Sequence, residues 1–321
     1  MRLLITGASG FIGRHLCQLA LDHGHEVVGT YLSRDELAAT AELGGRVRWE
    51  PLDLQDDSRA GKLVEEVRPE GVFHLAGQAY ASRAWEKPID TFRTNVEGTV
   101  RLYEALRRHP PREGTFLASS ASAYGAVTQI PTPEETPLNP INPYGVSKAC
   151  QDMLSFQYAL NYGLRIVRGR LFITTGPGKT GDALNDFAQR IVALEALGKP
   201  GQLRVGNLAT RRDISDVRDA TRAIWKVFES GRSDQPVNIG AGVSVSVASI
   251  AQSLVDLARV PLTLAPDRTL FRATDEPEIR ADISRLRALG FSPAYPLERT
   301  VADALAFWRN AAGRSPSGPA G

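Results

Sequence analysis

The sequence predicts an α/β fold built on a doubly wound parallel sheet. Short apolar runs alternate with segments whose apolar residues recur at helical spacing, which is typical of parallel strands joined by covering helices. The apolar runs are nearly continuous, as expected of strands buried on both faces. The predicted strands of the first half are Leu3–Ile5, Glu26–Gly29, Val47–Leu52, Gly71–Leu75, Thr115–Ala118 and Leu164–Arg168.

Helices are predicted between these strands and in the second half of the chain. The helical patterns cover Phe11–His23, Thr91–Arg107, Tyr144–Tyr162, Asp186–Leu197, Val247–Ala258 and Leu297–Trp308. Glycine and proline interrupt the pattern after about residue 172, and a strand at Gln235–Gly240 returns to the sheet. We therefore expect a first domain over 1–172 with returns at about 212–245. A smaller, interleaved lobe over 173–211 and 246–314 and a disordered tail over 315–321 complete the prediction.

The composition is that of a globular protein and excludes several classes of function. Of the 321 residues, 42% are hydrophobic and 23% charged, which excludes a mostly disordered chain. No run approaches the roughly 20 apolar residues of a membrane span, and we expect no signal peptide ahead of the first strand. The net charge of +2 lacks the basic excess of nucleic-acid-binding proteins. Two distant cysteines indicate neither disulfides nor a metal site, so we expect a reducing cytoplasm.

A glycine pattern joins the first strand to the first helix. Gly7, Gly10 and Gly13 form G-x-x-G-x-x-G directly after a strand and at the start of a helix, which is the context that a dinucleotide site requires. Glycines let the backbone approach a pyrophosphate, and the helix N-terminus supplies N–H donors. The pattern predicts a Rossmann-type dinucleotide-binding domain. Its cofactor contacts would be Gly7, Ser9, Gly10, Phe11, Ile12 and Gly13.

The segment after the second strand bears on the choice of dinucleotide. An acidic residue there would hold the adenosine ribose hydroxyls of NAD, but none precedes Asp35. Arg34 could instead meet a ribose 2′-phosphate, which favours NADP, with NAD as the alternative. Further cofactor contacts are expected at the ends of the third and fourth strands and in the following helix, at Asp53, Leu54, Leu75, Ala76, Gly77 and Asn95. Asn95 could also be a structural residue that bonds to neighbouring backbone, a role that we favour over a catalytic one.

A tyrosine and a lysine point to proton transfer. Tyr144 and Lys148 are separated by four residues and lie on one face of a predicted helix. A phenol needs a nearby positive charge to exchange a proton near neutral pH, and Lys148 supplies one. Ser120 follows the fifth strand and could share a hydrogen bond with Tyr144 and a substrate oxygen. Tyr144 and Lys148 are also expected to contact the cofactor.

The glycine loop, Ser120, Tyr144 and Lys148 together resemble the extended short-chain dehydrogenase/reductase family over almost the whole chain. Members bind NAD(P) at the glycine loop and use serine or threonine, tyrosine and lysine as the catalytic set. Most extended members act on nucleotide-diphosphate sugars. The family commonly pairs through two helices per subunit, which implies a homodimer through Thr91–Arg107 and Tyr144–Tyr162.

Several segments look like the branch of GDP-4-keto-6-deoxy-D-mannose reductases and GDP-mannose 4,6-dehydratases. They are His74–Gln78, Pro143–Lys148, Gly176–Gly178, Val205–Asp219 and Arg272–Pro277. The resemblance implies that Arg212 and Arg272 face a diphosphate and that Asp275 meets a hydroxyl. The substrate contacts that it implies are Gln78, Ser122, Thr174, Asn207, Leu208, Arg212, Arg272 and Asp275.

Two departures from the branch refine the expected activity. Dehydratases have a glutamate for proton removal where this chain has Ser122, so dehydration is disfavoured. The branch usually reads Phe-Asn-His where this chain has Phe172-Ile173-Thr174, which leaves the exact sugar open. We therefore expect an NAD(P)H-dependent reductase of a nucleotide-linked 4-keto-6-deoxyhexose, such as the reductase that makes GDP-D-rhamnose. The main alternative is a 4-epimerase with tightly bound NAD, and a non-catalytic dinucleotide-binding protein is a further one.

Overall fold

The computed structural model describes residues 1–38, 40–271 and 276–313. The chain forms two compact units. The first consists of Met1–Phe172, Ala220–Ile239 and Asp282–Ser292, and the second of the described parts of Ile173–Asp219, Gly240–Ala281 and Pro293–Gly321. The return to the first unit thus begins at Ala220 rather than at about 212, and a second return at Asp282–Ser292 has no counterpart in the sequence prediction. The predicted disordered tail lies outside the described residues.

The strands alternate with helices through the first unit and become short in the second. In chain order they are β1 (Arg2–Thr6), β2 (Glu26–Tyr31), β3 (Val47–Pro51), β4 (Gly71–His74), β5 (Gly114–Ser120), β6 (Ile166–Leu171), β7 (Ile173–Thr175), β8 (Gly201–Val205), β9 (Arg211–Asp216), β10 (Pro236–Ile239), β11 (Ser244–Ser246), β12 (Leu262–Pro266) and β13 (Glu278–Ile279).

The α-helices separate most of these strands. They are α1 (Phe11–Asp22), α2 (Arg34–Ala38), α3 (Arg59–Val67), α4 (Ala81–Glu86), α5 (Pro88–Phe92), α6 (Gly98–Arg108), α7 (Pro143–Tyr162), α8 (Ala183–Ala196), α9 (Val217–Ser230), α10 (Val247–Asp256), α11 (Ser284–Ala288) and α12 (Leu297–Gly313). Among the described residues, no helix combines the length and the apolar character needed to cross a membrane.

The first unit contains a seven-stranded sheet in the order β10-β6-β5-β4-β1-β2-β3. Every neighbouring pair in it is parallel. The strand order reverses beside β1, as in dinucleotide-binding folds, so the predicted Rossmann-type architecture is confirmed. Leucine, isoleucine and valine make the central strands apolar, and Leu4, Val28, Val72 and Ile166 are buried in the core between sheet and helices.

The second unit is built from shorter strands around an apolar cluster. β9 pairs with β7, β11 and β13, and β12 pairs with β8. Buried leucines, isoleucines and alanines of α8, α10 and α12 form the core of this unit. The sequence analysis predicted these helices but not the strands, because runs of two to six residues with half-exposed polar side chains carry little periodic signal.

The predicted helix Thr91–Arg107 is interrupted. It consists of the end of α5, a π-helical turn at Arg93–Glu97, and α6. A π-helical turn adds one residue to the helical turn and is frequently found at functional sites. Here it contains Asn95, which is fully buried.

Candidate active site

The glycine loop between β1 and α1 makes the close approaches that its pattern predicts. Gly7 has a φ of +69°, and a Cβ atom added there would lie 2.7 Å from the backbone nitrogen of Ala76. A Cβ atom added at Gly13 would collide with the carbonyl oxygen of Gly7. A side chain at either position would therefore displace the backbone. This packing fits the glycine fingerprint of a dinucleotide site.

The amino end of α1 can receive an anion. Gly10 caps the helix without a side-chain hydrogen bond, and the first turn contains no acidic residue. The N–H groups of a first helical turn lack intrahelical acceptors, and the helix dipole favours negative charge there. Phe11 and Ile12 open the helix and are half-buried. The cradle therefore suits the pyrophosphate of a dinucleotide.

A carboxylate that the sequence analysis did not single out lies beside this loop. Glu36 in α2 accepts hydrogen bonds from the Ser9 hydroxyl at 3.0 Å and from the Leu32 N–H at 3.2 Å. Arg34 is exposed on the same short helix and makes no ion pair within the described residues. The segment after β2 therefore presents both charges, although only Arg34 was predicted to act there. The signal available in the sequence was an acid two residues beyond Arg34.

The two predicted residues after β3 have different environments. Asp53 is exposed, and its carboxylate accepts a hydrogen bond from the Gln55 N–H at 2.8 Å. Leu54 is buried and packs closely on Gly98. A Cβ atom added at Gly98 would lie 2.6 Å from the Leu54 Cβ atom. Leu54 is therefore a packing residue, and Asp53 presents a polar group to solvent.

Leu75 and Ala76 follow β4 alongside β1. The Leu75 N–H donates to the Thr6 carbonyl at 3.2 Å, and the Ala76 N–H donates to the Thr6 hydroxyl at 3.2 Å. Both residues are half-buried at the carboxyl end of the sheet. Ligands of doubly wound folds bind beyond this end of the strands. These two residues therefore lie where a cofactor contact is expected.

Asn95 joins the loop after β4 to the start of α7. Its Oδ1 accepts from the Gln78 N–H at 2.8 Å, and its Nδ2 donates to the Gln78 carbonyl at 3.0 Å and to the Ser147 hydroxyl at 2.9 Å. Ser147 donates in turn to the Tyr144 carbonyl at 2.7 Å. Gly77 leaves room for this contact, because a Cβ atom there would lie 2.9 Å from Oδ1. Both amide hydrogens of Asn95 are committed to protein acceptors, so it supports the site, and only Oδ1 could accept a hydrogen bond from a cofactor.

The Gln78 side chain folds back onto its own loop. Its Nε2 donates to the Tyr80 carbonyl at 2.9 Å and to the Thr91 hydroxyl at 3.1 Å, and its Oε1 accepts from the Tyr80 N–H. A substrate contact by Gln78 would require this side chain to leave the loop. These contacts depend on how the loop folds, and the sequence pattern does not show that conformation.

The start of α7 is held against the loop after β5. Asn142 caps the helix by accepting from the Gly145 N–H at 2.8 Å, and Pro143 occupies the first helical position. A Cβ atom at Gly145 would collide with the carbonyl oxygen of Ser122. The cap and this close approach place Tyr144 in the first turn, next to the end of β5.

Ser120, Tyr144 and Lys148 meet at this point. The Ser120 hydroxyl accepts from the Ser122 N–H at 3.2 Å and lies close enough to Tyr144 to influence the pKa of its phenol. The Lys148 ammonium donates to the Ala118 carbonyl at 2.8 Å and lies 6.0 Å from the centre of the Tyr144 ring. The structure thus brings the predicted proton-transfer residues together at the carboxyl ends of the strands.

Burial sets the protonation of this group. It raises the pKa of Tyr144 above its usual value, and the neighbouring Ser120 hydroxyl opposes that shift. It lowers the pKa of Lys148 to about 8. Because the pKa of Lys148 stays at about 8, this lysine is mainly a cation at neutral pH, and the raised pKa of Tyr144 keeps the phenol protonated. The arrangement can give a proton to an oxygen atom held by Ser120.

A buried polar network supports these residues from below. The His74 ring bonds to the Thr6 hydroxyl at 2.8 Å and to the Thr99 hydroxyl at 3.0 Å. Gln151 of α7 donates to Thr99 at 2.7 Å, and Thr99 donates to the Asn95 carbonyl at 2.6 Å. Burial, and then the charge of Lys148, lower the pKa of His74 to about 3. His74 is therefore neutral and acts as a structural link.

An ion-pair cluster that the sequence analysis did not predict anchors α7 to β6. Asp152 accepts from Arg170 at 2.9 and 3.0 Å and from Arg168 at 2.9 Å, and all three residues are buried. Although burial acts to raise it, the Arg170 hydrogen bond and the charges of both arginines hold the pKa of Asp152 below its usual range. The cluster lies one helical turn beyond Lys148. The sequence signal that could have indicated this cluster is the pair Arg168 and Arg170, two residues apart in a predominantly apolar strand segment.

In the second unit, Thr174 and Arg212 bond to protein groups. Thr174 is buried in β7, and its carbonyl accepts from the Lys179 ammonium. Arg212 donates to the carbonyls of Arg211 at 2.9 Å and Glu276 at 2.7 Å. The guanidinium therefore helps to hold the chain near residue 276. Its role toward a diphosphate stays a prediction.

Of the remaining predicted substrate contacts, Asn207 and Leu208 are half-buried between β8 and β9. Asn207 accepts from the Ala209 N–H at 3.1 Å, and Leu208 packs on the core of the second unit. Arg272 and Asp275 lie outside the described residues. Among the residues that are described, no three His, Cys, Asp or Glu side chains form a group that could hold a metal ion.

Comparisons with known proteins agree with this geometry. A family model described as GDP-mannose 4,6 dehydratase matches residues 4–304. The chain is 31% identical to a GDP-6-deoxy-D-mannose reductase of Pseudomonas aeruginosa, across 96% of this chain and 97% of that protein. It is also 31% identical to a UDP-glucose 4-epimerase of Mycolicibacterium smegmatis, across 97% of this chain and 99% of that one.

A solved structure is similar over the same length. The structure described as RMD from Pseudomonas aeruginosa complexed with NADPH has a TM-score of 0.82 and 28% sequence identity, and the match covers 97% of this chain and 99% of that one. The family match, the seven-stranded parallel sheet and the meeting of serine, tyrosine and lysine agree. The chain therefore belongs to the GDP-mannose 4,6 dehydratase family of extended short-chain dehydrogenases/reductases.

Proposed function

We propose that the chain is an NAD(P)H-dependent reductase of a nucleotide-diphosphate-linked 4-keto-6-deoxyhexose. Its substrate would be GDP-4-keto-6-deoxy-D-mannose and its product GDP-D-rhamnose. The observation that carries this proposal is that Ser120, Tyr144 and Lys148 lie together. Nearby, Ser122 occupies the position where elimination of water would need an acid or base. The similar Pseudomonas aeruginosa reductase supports the GDP-linked sugar.

The roles of these residues follow from their contacts. A bound nicotinamide supplies the hydride for the ketone carbon. Ser120 donates a hydrogen bond to the ketone oxygen, and Tyr144 gives that oxygen a proton as its negative charge develops. Lys148 stabilises the phenolate that Tyr144 becomes, because its ammonium lies 6.0 Å from the ring centre. The carbonyl thus becomes a secondary alcohol, with one hydride and one proton added.

The two units divide the binding of cofactor and substrate in this proposal. The first unit is the dinucleotide-binding domain, with the pyrophosphate at the amino end of α1 and with NADP as the cofactor and NAD as the alternative. The second unit is the substrate-binding lobe. Arg212 belongs to it and serves the diphosphate, since a guanidinium matches the geometry of phosphate oxygens.

The proposal is tested by offering purified protein a panel of nucleotide sugars with NADPH or NADH. We expect loss of reduced cofactor only with a 4-keto-6-deoxy sugar nucleotide, together with formation of the corresponding 4-hydroxy sugar. A panel with no cofactor consumption would contradict the reductase activity. Ser122→Glu is a useful companion variant, because it tests whether an acid at this position can introduce dehydration.

The second candidate is a nucleotide-sugar 4-epimerase that retains NAD. The similarity to the Mycolicibacterium smegmatis UDP-glucose 4-epimerase favours it, and the same serine, tyrosine and lysine could take the proton and return it. Heat denaturation of freshly purified protein separates the two candidates. Release of one equivalent of NAD(H) per chain would support the epimerase and contradict the reductase.

We also propose the homodimer that the family resemblance implies, through Thr91–Arg107 and Tyr144–Tyr162, with α4 and α5 added to the interface. Met153, Phe156 and Leu160 form an exposed apolar stripe along α7, and Trp85 and Ile89 are exposed on α4 and α5. Such patches commonly mark protein interfaces. In light scattering we expect the wild type to be a dimer, Leu160→Glu to be a monomer, and Leu197→Glu on α8's carboxyl end to remain a dimer. A monomeric wild type would contradict this proposal.

A reducing, cytoplasmic setting is part of the same proposal. Both cysteines are free, Cys17 being buried and Cys150 half-buried. Burial raises the pKa of the Cys17 thiol to about 12, so this thiol is unreactive at neutral pH. Localisation of the tagged full chain in its native cells would test the setting.

A further inference from the structure

We propose that Glu36 weakens the preference for NADP that Arg34 creates, because its carboxylate repels a ribose 2′-phosphate and already binds the Ser9 hydroxyl and the Leu32 N–H. The inference rests on the dinucleotide site proposed above and adds a specificity-determining residue to it. It concerns the adenosine end of that site, where the sequence pattern pointed only to Arg34.

The position of the carboxylate is defined by two contacts. One Glu36 oxygen accepts from the Ser9 hydroxyl in the glycine loop at 3.0 Å and from the Leu32 N–H after β2 at 3.2 Å. The Ser33 hydroxyl is 3.3 Å from the Glu36 backbone nitrogen, which donates to it and holds the start of α2 in place. In dinucleotide folds, the residues that follow the second strand meet the adenosine ribose. Glu36 therefore brings an acid to this place from a helix, although β2 itself ends without one.

The contacts of Glu36 have opposite consequences for the two dinucleotides. A carboxylate accepts hydrogen bonds from the ribose hydroxyls of NAD. A 2′-phosphate carries a charge of about −1.5 to −2 near neutral pH, so it is repelled by the carboxylate and competes for the same two donors. Arg34, exposed on the same helix, attracts that phosphate. The chain thus holds one group that favours each cofactor, and Glu36 weakens the preference that Arg34 creates.

The experiment is isothermal titration of the full-length protein with NADP⁺ and with NAD⁺, without sugar substrate. Glu36→Gln keeps an oxygen for Ser9 and Leu32 but removes the charge. We expect it to shift the ratio of the two dissociation constants toward NADP⁺ by about tenfold, since the lost repulsion acts within a Debye length. Asp35→Asn removes the neighbouring exposed charge and is the matched control, with an expected shift below about twofold.

The outcomes distinguish this inference from the proposed function. An unchanged ratio in Glu36→Gln, or an equal shift in Asp35→Asn, overturns the role of Glu36 alone. A wild type that binds neither dinucleotide overturns the proposed function and this inference with it. Because Glu36 is exposed, both variants are expected to fold, and the binding stoichiometry of NAD⁺ reports the folded fraction in each titration.

Discussion

The two ends of the candidate cofactor site in the first unit are built in different ways. At the proton-transfer end, Lys148 is buried and α7 is held by Asn95 and by the Asp152 cluster. At the adenosine end, Arg34 and Glu36 lie exposed on a five-residue helix. Buried hydrogen bonds in a low dielectric hold atoms in fixed positions, whereas exposed charges are screened by salt. The difference suggests that chemistry here depends on a rigid support and cofactor choice on a few adjustable charges.

The largest effect should come from removing the phenol at the rigid end. Tyr144→Phe should lower kcat by at least about 10³-fold, because the proton donor is lost while the ring packing remains. Stopped-flow measurement of NADPH oxidation in the presence of the 4-keto sugar would report the lost rate. Tyr162→Phe, an exposed tyrosine at the end of α7, is the matched control and should keep full activity. A Tyr144→Phe enzyme within about tenfold of the wild type would remove Tyr144 from the mechanism.

The support of the rigid end should be measurable as stability. Asn95→Ala removes three hydrogen bonds of a fully buried side chain, of which the bond to Ser147 is itself buried, and takes a partner from the Gln78 N–H and carbonyl. We expect the free energy of unfolding in urea to fall by about 3 kcal/mol. Asn161→Ala, an exposed asparagine of α7, should change it by less than about 0.5 kcal/mol. Similar losses in the two variants would show that the Asn95 contacts do not hold the first unit together.

The charge of Lys148 should appear in the pH profile. Since its pKa is lowered to about 8, the ammonium is present below that pH and lost above it. The reductive kcat should fall by about tenfold between roughly pH 7 and pH 9. The titration of Lys148 does not itself destabilise the fold over this range, because a lysine whose folded pKa lies below its unfolded value adds stability as pH rises between those two values. A flat reductive profile through pH 8 would contradict the role of Lys148.

The smallest effect is expected at the exposed end. Arg34→Gln should weaken NADP⁺ binding by about fivefold at low ionic strength and leave NAD⁺ binding unchanged. The loss should shrink as salt is added, which distinguishes a screened surface charge from a structural defect. Arg108→Gln, which removes an exposed arginine of α6, is the matched control for the change in net charge. Equal weakening of NADP⁺ and NAD⁺ binding would show that Arg34 does not recognise the 2′-phosphate.

Local patterns identified the proton-transfer residues but not what supports them. Tyr144 and Lys148 are four residues apart on one helix, so their shared face follows from helical geometry alone. The bonds of Asn95 to Gln78 and Ser147 span 17 and 52 residues of chain. No periodic pattern encodes such pairs, because they form only when separate elements pack together.

The sequence by itself determined the parallel sheet, the glycine loop and the serine, tyrosine and lysine set, because each is written in residue types at fixed local spacing. Tertiary structure decided the π-helical turn at Asn95, the ion pairs of Asp152 and the reach of Glu36 to Ser9. It also showed that Gln78 and Arg212 bond to backbone groups near them. The reason is that a side chain's partners depend on which strands and helices the whole fold brings within hydrogen-bonding distance.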